Sequence, residues 1–530
     1  MKESYFLIQS VIDFFSADRH SRNFKKWLKS KARNKKRNFN GSAKILVESN
    51  QTAENMIALS YFLPILAEKY SSTILAYRFA KTRKRNRLRH YIRHRFSVLN
   101  AIGASELLSL NYSVSHRCDI HDDIVTRLVG LASPDNVINF EYRGVLIGDL
   151  LYDSYLNQNK RGTIDFQDEN FRIEILTFLQ ISDQLHEFFS KNTVSAVCIG
   201  HWVYKMGLTA RIGFAYDIPA FQVQNSLLCR LSRQSPYPLG AKNSFGHQMK
   251  SRTELERVQL KDLAKKRLNL RFSGQIGIDM PYSLKSSYLR NFSSNKIVRN
   301  PNKINVLIAT HDFYDAPHLY GKFLYPDMEI WLERLHELSL KTNFDWYIKS
   351  HPDLRSEESL ILNELLVRCP NFRYVPNTTS HHQLISEGIT HALTVYGTIA
   401  LEYPFLGIPV VNAAPNGPYS TMSFCNTPMT VNEYEDTILN LGSVQKPSER
   451  DIDQLLESYA DRFLVRPTSW VFKSYEKFIR DSGDYLTAMS NKTYQYFLDT
   501  TNKFSDSEIE NWLSKYLESG KDFIDWPREL

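Results

Sequence analysis

"FDWYIKSHPDLRSEESL" occupies residues 344–360. An apolar, aromatic run through Trp346, Tyr347 and Ile348 ends abruptly in Lys349, Ser350, His351 and Pro352, and a charged helical pattern follows. The run has the length of a buried strand, and the proline fixes the chain direction so that the next helix starts at once. A polar turn would carry the same residues. A Lys and a His at the carboxyl end of a parallel strand, followed by the free N–H groups of a helix start, would instead make an anion site.

The same alternation continues on both sides of this stretch. "INVLIAT" (304–310) reads as a strand leading to a helix at about 326–341, and 344–350 leads to a helix at about 356–368. "FRYV" (372–375) precedes a helix from His381, "HALTVY" (391–396) precedes one from Thr398, and "IPVVNA" (408–413) closes the set. Alternation this regular predicts a Rossmann-like parallel sheet over 304–445. Upstream, "SAKILVES" (42–49), a helical run and "SSTILAYRF" (71–79) form a β-α-β unit, to which "VSAVCIGH" (194–201) and "IPAFQVQN" (218–225) add strands. The expected fold class is α/β. A basic helical segment (1–41) precedes a Rossmann-like domain (42–282), a polar linker (283–303), a second Rossmann-like domain (304–445) and a helical extension (446–530). Two such domains leave a cleft between facing strand ends, where ligands of these sheets bind.

Length, 530 residues, gives room for several cores, and 42% hydrophobic with 23% charged content fits a soluble globular chain. No run of about 20 apolar residues is present, and the start lacks the features of a secretion signal. The five cysteines are scattered, with no pair at metal or redox spacing, so a reducing, cytoplasmic setting is expected. The net charge of +9 is unevenly placed: residues 19–37 hold ten Lys or Arg and no acid, and 78–95 form a second basic run. These segments suit an anionic membrane surface on the inner face of the cell membrane, and a plain solvated face would look the same. No nucleic-acid-binding motif accompanies them, so nucleic acid is disfavoured.

Two further stretches lie at strand ends. "THDFYDAPHLYG" (310–321) gathers His311, Asp312, Asp315 and His318 after the strand 304–310, at no spacing that matches a metal motif. "TVYGTIALEYPFLGIPVV" (394–411) places Gly397 and Thr398 before a helix, with Glu402 one turn further on the same face. Glycine there permits close backbone approach, Thr398 is placed to cap the helix and meet a phosphate, and Glu402 suits two ribose hydroxyls.

"YIKSHPD" together with "HHQLISEGITHALTVYGTIALEYPFLGIPVVN" resembles the nucleotide-sugar domain of GT-B glycosyltransferases, most of all bacterial capsule and surface-polysaccharide enzymes of the Kdo-transferase and His-Pro-motif sialyltransferase kind. The resemblance spans about 304–415 and is looser over 42–230. It implies an inverting, metal-independent transfer from a nucleotide-sugar, a CMP-sugar being favoured, to a surface or capsular polysaccharide or glycolipid acceptor, with no further cofactor. It implies phosphate contacts at His351, Gly397 and Thr398, with Lys349 beside them, and ribose contact at Glu402. Many polysialyltransferases carry a Ser-Ser pair where this chain has Gly397-Thr398. An inverting transfer also needs a proton acceptor. Glu54, Asp149, Asp153 and Asp315, with His318, are the candidates, and His201 and His311 are placed to face substrate. The same scaffold carries polyol-phosphate transferases and UDP-sugar 2-epimerases, and a non-catalytic binding protein is the rival from another class.

Overall fold

A computed structural model of the protein describes residues 19–34, 41–81, 84–113, 118–239, 249, 252–276, 285–289, 292, 295–351, 355–465, 469–472, 475–482, 489–500 and 505–524. Pro352, the helical reading of 1–18 and the basic residues 35–37 lie outside the described residues. Strands relevant to the site are β1 (Lys44–Glu48), β2 (Thr73–Lys81), β3 (Glu106–Tyr112), β4 (Val194–Ile199), β5 (Ala220–Val223) and β6 (Leu228–Leu231) in the first half. The second half has β7 (Asn305–Ala309), β8 (Asp345–Lys349), β9 (Phe372–Val375), β10 (His391–Thr394) and β11 (Val410–Asn412). The helices used below are α1 (Arg19–Asn34), α2 (Ala53–Lys69), α3 (Lys84–Arg95), α4 (Gly148–Asn159), α5 (Glu169–Lys191), α6 (Glu254–Phe272), α7 (Met328–Ser339), α8 (Ser356–Arg368), α9 (His381–Glu387), α10 (Ile399–Phe405), α11 (Glu449–Ala460), α12 (Lys492–Asp499) and α13 (Asp506–Ser519).

The first sheet has the order β3-β2-β1-β4-β5-β6, parallel except for the antiparallel edge strand β6, and the second has the all-parallel order β9-β8-β7-β10-β11. Both wind outward in two directions from their first strand. The switch falls between β1 and β4, where Val47 pairs with Cys198, and between β7 and β10, where Ile308 pairs with Leu393. Strands such as "KILVE" and "NVLIA" are buried almost throughout, as parallel strands covered on both faces must be. The expected α/β fold with two Rossmann-like domains is what forms.

Boundaries differ from the sequence reading in three places. Helix α6, expected in the first domain, packs its Leu268 and Phe272 into the core of the second sheet, beside Leu455 and Tyr459 of α11. The expected linker is not a free tether: Tyr288 and Val298 are buried in that same core, and the N–H groups of Ile297 and Val298 donate to Glu387 Oε2 at 2.7 and 2.8 Å. The carboxyl-terminal extension is divided, since α11 stays with the second sheet while Trp470, Phe497 and Leu513 pack with α2 of the first. Polar composition along 283–303 hid the few large apolar residues that dock it.

The two sheets share one apolar core. Leu150, Ile199 and Trp202 of the first half pack in one cluster with Phe313, Tyr320 and Trp331 of the second. Polar clasps reinforce it. Asp153 of α4 accepts from the His318 backbone N–H at 3.2 Å and lies 2.6 Å from His318 Nδ1, with both side chains buried. The Tyr152 hydroxyl donates to Asp327 Oδ2 at 2.5 Å, and Trp202 Nε1 donates to the Leu319 carbonyl at 2.8 Å. Helix α4 can reach this seam because Gly148 starts it flush against 137–140: a Cβ there would lie 1.9 Å from the Val137 carbonyl oxygen.

Burial opposes charge on both Asp153 and His318, so each stabilises the other only as a pair. Asp153→Ala is expected to cost about 3–5 kcal/mol, because it strands a buried imidazole. Lys322→Ala, which breaks the exposed pair with Asp135 across the same seam, is expected to stay within about 1 kcal/mol. Urea midpoints of the two variants decide the point; equal losses would remove the clasp from the account of domain closure.

Candidate active site

The carboxyl ends of β7 and β8 are tied together by the Thr310 N–H, which donates to the Lys349 carbonyl at 3.1 Å. Lys349 is buried. Its ammonium donates to the Asn377 carbonyl at 2.8 Å, and burial pulls its pKa down to about 8. It therefore acts on the cleft as a fixed charge beneath the surface. His351 follows and is half-buried. The hydroxyls of Thr310 and Ser350 are buried and have no protein partner among the described residues. Buried hydroxyls of that kind are satisfied by water or by a ligand.

The imidazole of His381, the first residue of α9, lies 2.8 Å from the Tyr403 hydroxyl through Nδ1. Burial first, and then the charges of Lys349, Arg271, His382 and His351, hold its pKa well below the usual range. Five basic side chains thus converge at the carboxyl ends of the second sheet. The other four raise the cost of charging His381, and each would favour an anion placed among them.

Gly397 and Thr398 stand next to this cluster, with roles that differ from expectation. The Gly397 N–H donates to Thr394 Oγ1 at 3.2 Å, and a Cβ at Gly397 would lie 2.7 Å from the same oxygen. Glycine is needed for that internal turn before any ligand is considered. The Thr398 side chain does not cap α10: its hydroxyl donates to Glu402 Oε1 at 2.5 Å and accepts from Arg271 at 3.1 Å. Glu402 is buried, ion-paired to Arg271 through Oε1, and accepts from the Tyr288 hydroxyl at 2.5 Å through Oε2. Both oxygens are engaged within the protein, so in this arrangement Glu402 is an anchor that places Arg271 rather than a carboxylate open to two ribose hydroxyls.

The loop after β7 crosses the seam. Asp315 Oδ1 accepts from the Tyr204 hydroxyl at 2.5 Å, and the Tyr204 hydroxyl in turn accepts from Asn157 at 3.0 Å. Tyr204 holds a positive φ of 55°, an uncommon conformation for a bulky residue that these bonds hold in place. Arg355 lies 3.6 Å from Asp315 and 3.9 Å from Asp312. Asp312 meets Glu358, which is fully buried and pushed up to about 8 by burial and by its contact with Asp312. Glu358 holds the proton between them. Burial raises Asp312, but His311, the Glu358 hydrogen bond, Arg355 and His351 together bring it below its ordinary value. His311 is exposed at the mouth.

The first sheet contributes its own switch point. Glu48, the last residue of β1, accepts from the Gly200 N–H and from Gln51, both at 3.0 Å, and burial pushes it up to about 7. Glu54 in the first turn of α2 is buried, and desolvation raises it. His201 follows β4; burial brings it down to about 4, partly offset by the charge of Asp315 across the seam. Its imidazole is neutral at physiological pH. Asp149 is committed elsewhere: Arg211 and the Tyr237 hydroxyl hold it at 2.7 and 2.6 Å. His318 is spent on Asp153. Both are structural, and the buried partners that claim them are not adjacent in sequence.

The site therefore gathers Lys349, His351, His311, Asp315 and His201, keeps Gly397, Thr398 and Glu402 as the frame of its basic wall, and assigns Asp149 and His318 to packing. Sequence reading missed Arg271, His381, Tyr204, Arg355 and Glu358. It also missed Glu48, although a charged residue closing a buried strand is the signal that singled out Lys349. No three His, Cys, Asp or Glu among the described residues form a group able to hold a metal ion. One cavity, of about 510 Å³, is lined by Pro409, Phe424 and Asn440 at the amino end of β11, the wrong edge for a ligand of such a sheet.

No family model matches the chain, and no curated protein matches it. Among solved structures, a β-Kdo 2,4-transferase, KpsC of Thermosulfurimonas dismutans, is 14% identical over 52% of this chain and 94% of that one, with a TM-score of 0.29. The S. aureus MnaA–UDP structure is 12% identical over 88% and 100%, with a TM-score of 0.26. The UDP-GlcNAc 2-epimerase of Neisseria meningitidis is 12% identical over 90% and 100%, with a TM-score of 0.20. Superpositions this loose carry no argument, and the fold rests on the strand orders above.

Two outcomes follow from the geometry. Glu402→Ala leaves Arg271 buried without its counter-charge and should cost about 3–5 kcal/mol in chemical denaturation; an unchanged midpoint would return Glu402 to a ligand-facing role. Glu48 binds its proton more tightly folded than unfolded. Its contribution is therefore present below its ordinary pKa of 4.5 and is lost as pH rises toward about 7. The difference in stability between the native protein and Glu48→Gln should slope downward across that window and be flat above it.

Proposed function

We propose that this chain transfers a sugar from a nucleotide-sugar donor to a surface or capsular polysaccharide or glycolipid acceptor, as a GT-B-type glycosyltransferase acting with inversion. The observation that carries this reading is the convergence of Lys349, His351, His381, His382 and Arg271 at the carboxyl ends of the second sheet, whose loop after β7 brings Asp315 to His201 of the first. The departing nucleotide phosphate needs stabilisation of its developing charge, and preorganised donors and charges held at the strand ends supply it at low reorganisation cost. His351 and His382 are the half-buried members, and His351, at the strand end, meets the phosphate directly; Lys349 and Arg271 act from behind. Asp315, oriented by Tyr204 and Arg355, is the proton acceptor for the attacking hydroxyl. His201, neutral, lines the opposite wall.

The resemblance of the His351 turn favours CMP as the nucleotide. A cytidine donor of a polyol phosphate and a UDP-sugar 2-epimerase substrate would use the same basic wall, so chemistry must separate them. CMP, CDP, UDP and GDP are compared by melting temperature; a nucleotide at a hundredfold excess over its Kd adds about 2.7 kcal/mol to the native state. CMP should give the largest shift, and His351→Ala should remove it while lowering donor turnover by ~10²-fold. Consumption of a UDP-sugar without acceptor would assign epimerisation instead. No shift with any nucleotide, in a folded protein, would leave a non-catalytic binding role.

A further inference from the structure

We propose that α1 and the end of α3 form a docking surface for an anionic lipid bilayer. The inference is independent of the catalytic reading and uses a face that the candidate site does not touch. Arg19, Arg22, Lys26 and Lys29 are all exposed and recur along α1 at helical spacing, so they make one basic stripe. Among the described residues none of the four is in an ion pair. Lys25, beside them, has its pKa lowered by burial and by the charges of Lys29 and Arg22, as expected where like charges crowd.

The opposite side of α1 is spent on the core. Phe24 stacks on Tyr494 of α12 at 4.7 Å, Trp27 meets Phe497 edge-on at 5.3 Å, and Leu28 is buried. The helix is therefore fixed with its cations outward and cannot roll its apolar side into lipid. The apolar component comes from the neighbouring segment. Lys25 Nζ donates to the Phe96 carbonyl at 2.7 Å, which places the end of α3 against α1. There Tyr91, Ile92 and Phe96 are 51%, 42% and 47% exposed, next to exposed Arg93 and Arg95. Large exposed apolar tips set in a cationic field are costly in water and match the two requirements of an anionic membrane interface, headgroup charge and shallow acyl contact. A nucleic-acid backbone would satisfy the cations but leave Ile92 and Phe96 in water, so the bilayer is the occupant favoured.

The test is co-sedimentation of the full chain with phosphatidylcholine vesicles, with and without phosphatidylglycerol. The native protein should sediment only with the anionic vesicles, and added salt should weaken binding. Replacing all four stripe residues (Arg19→Glu, Arg22→Glu, Lys26→Glu, Lys29→Glu) should reduce binding about tenfold or more at an unchanged melting temperature. Lys26→Glu with Lys29→Glu gives the same test should the quadruple variant melt early. Ile92→Ser with Phe96→Ser should reduce the binding that survives at high salt. Sedimentation that ignores vesicle charge, or that the stripe reversals leave intact, overturns the proposal. So does duplex DNA displacing the protein from anionic vesicles at equal charge concentration.

Discussion

The buried contact between Asp153 of α4 and His318 of the loop 310–321 is the constraint on which the site depends. A carboxylate and an imidazole removed from water are each costly, and they are tolerable only together. Because one comes from each domain, the pair holds α4 of the first against the loop after β7 of the second. The contacts of Tyr152 with Asp327 and of Trp202 with the Leu319 carbonyl repeat the same demand within a few residues. The loop that begins at the end of β7 is thus pinned at its far end, and its near end, Thr310 to Asp315, is held at the mouth of the cleft. Asp315 can then be aimed by Tyr204, whose own backbone is held in an unfavourable conformation by the bonds it makes.

Charge is sorted along this seam. Acid groups occupy its middle, where Asp312 and Glu358 hold a proton between them and Arg355 lies within 4 Å of both Asp312 and Asp315. Basic groups occupy the strand ends of the second sheet. Within that basic wall the Glu402 carboxylate is enclosed by Arg271, Thr398 and Tyr288, so it fixes the position of a guanidinium without cancelling the field of the remaining cations. The result is a separation of acidic groups at the seam from basic groups at the strand ends of the second sheet.

Much of the fold was legible because parallel strands buried on both faces leave unmistakable apolar runs. The helix Ser356–Arg368 and the strand Phe372–Val375 fall where the periodicity places them. Strands β3 and β6 lie at sheet edges, and β3 is only partly buried, so its alternation is weak. Helix α6 carries charges on most of its surface, and nothing local reveals that its last turn packs on a distant sheet. The site was legible to the same degree. Residues that end strands, such as Lys349, His351 and His201, announce themselves by interrupting apolar runs. Arg271, Tyr204 and Arg355 do not, because their roles are created by contacts distant in sequence, across more than a hundred residues for Arg271 and Tyr204 and 40 for Arg355 with Asp315. The same limit explains Asp149 and His318. Polar residues near strand ends look alike in sequence whether a ligand or a buried partner will claim them.

His381 shows why the basic wall is more than a collection of cations. Its imidazole is buried, and its neighbours Lys349, Arg271, His382 and His351 all oppose its protonation. An anion among these groups would lower that opposition, so protonation of His381 and occupancy by a phosphate are thermodynamically linked, and each must favour the other to the same extent. Lys349, drawn down to about 8 by burial, lies among these groups. Under the proposed reading, donor binding therefore draws protons into the wall, and departure of the sugar, which adds charge to the phosphate, strengthens the interaction further. The preference for the transition state over the ground state then arises from groups that never touch the sugar, placed by an ion pair at Glu402 and by a clasp between domains that the chain had to form in order to fold.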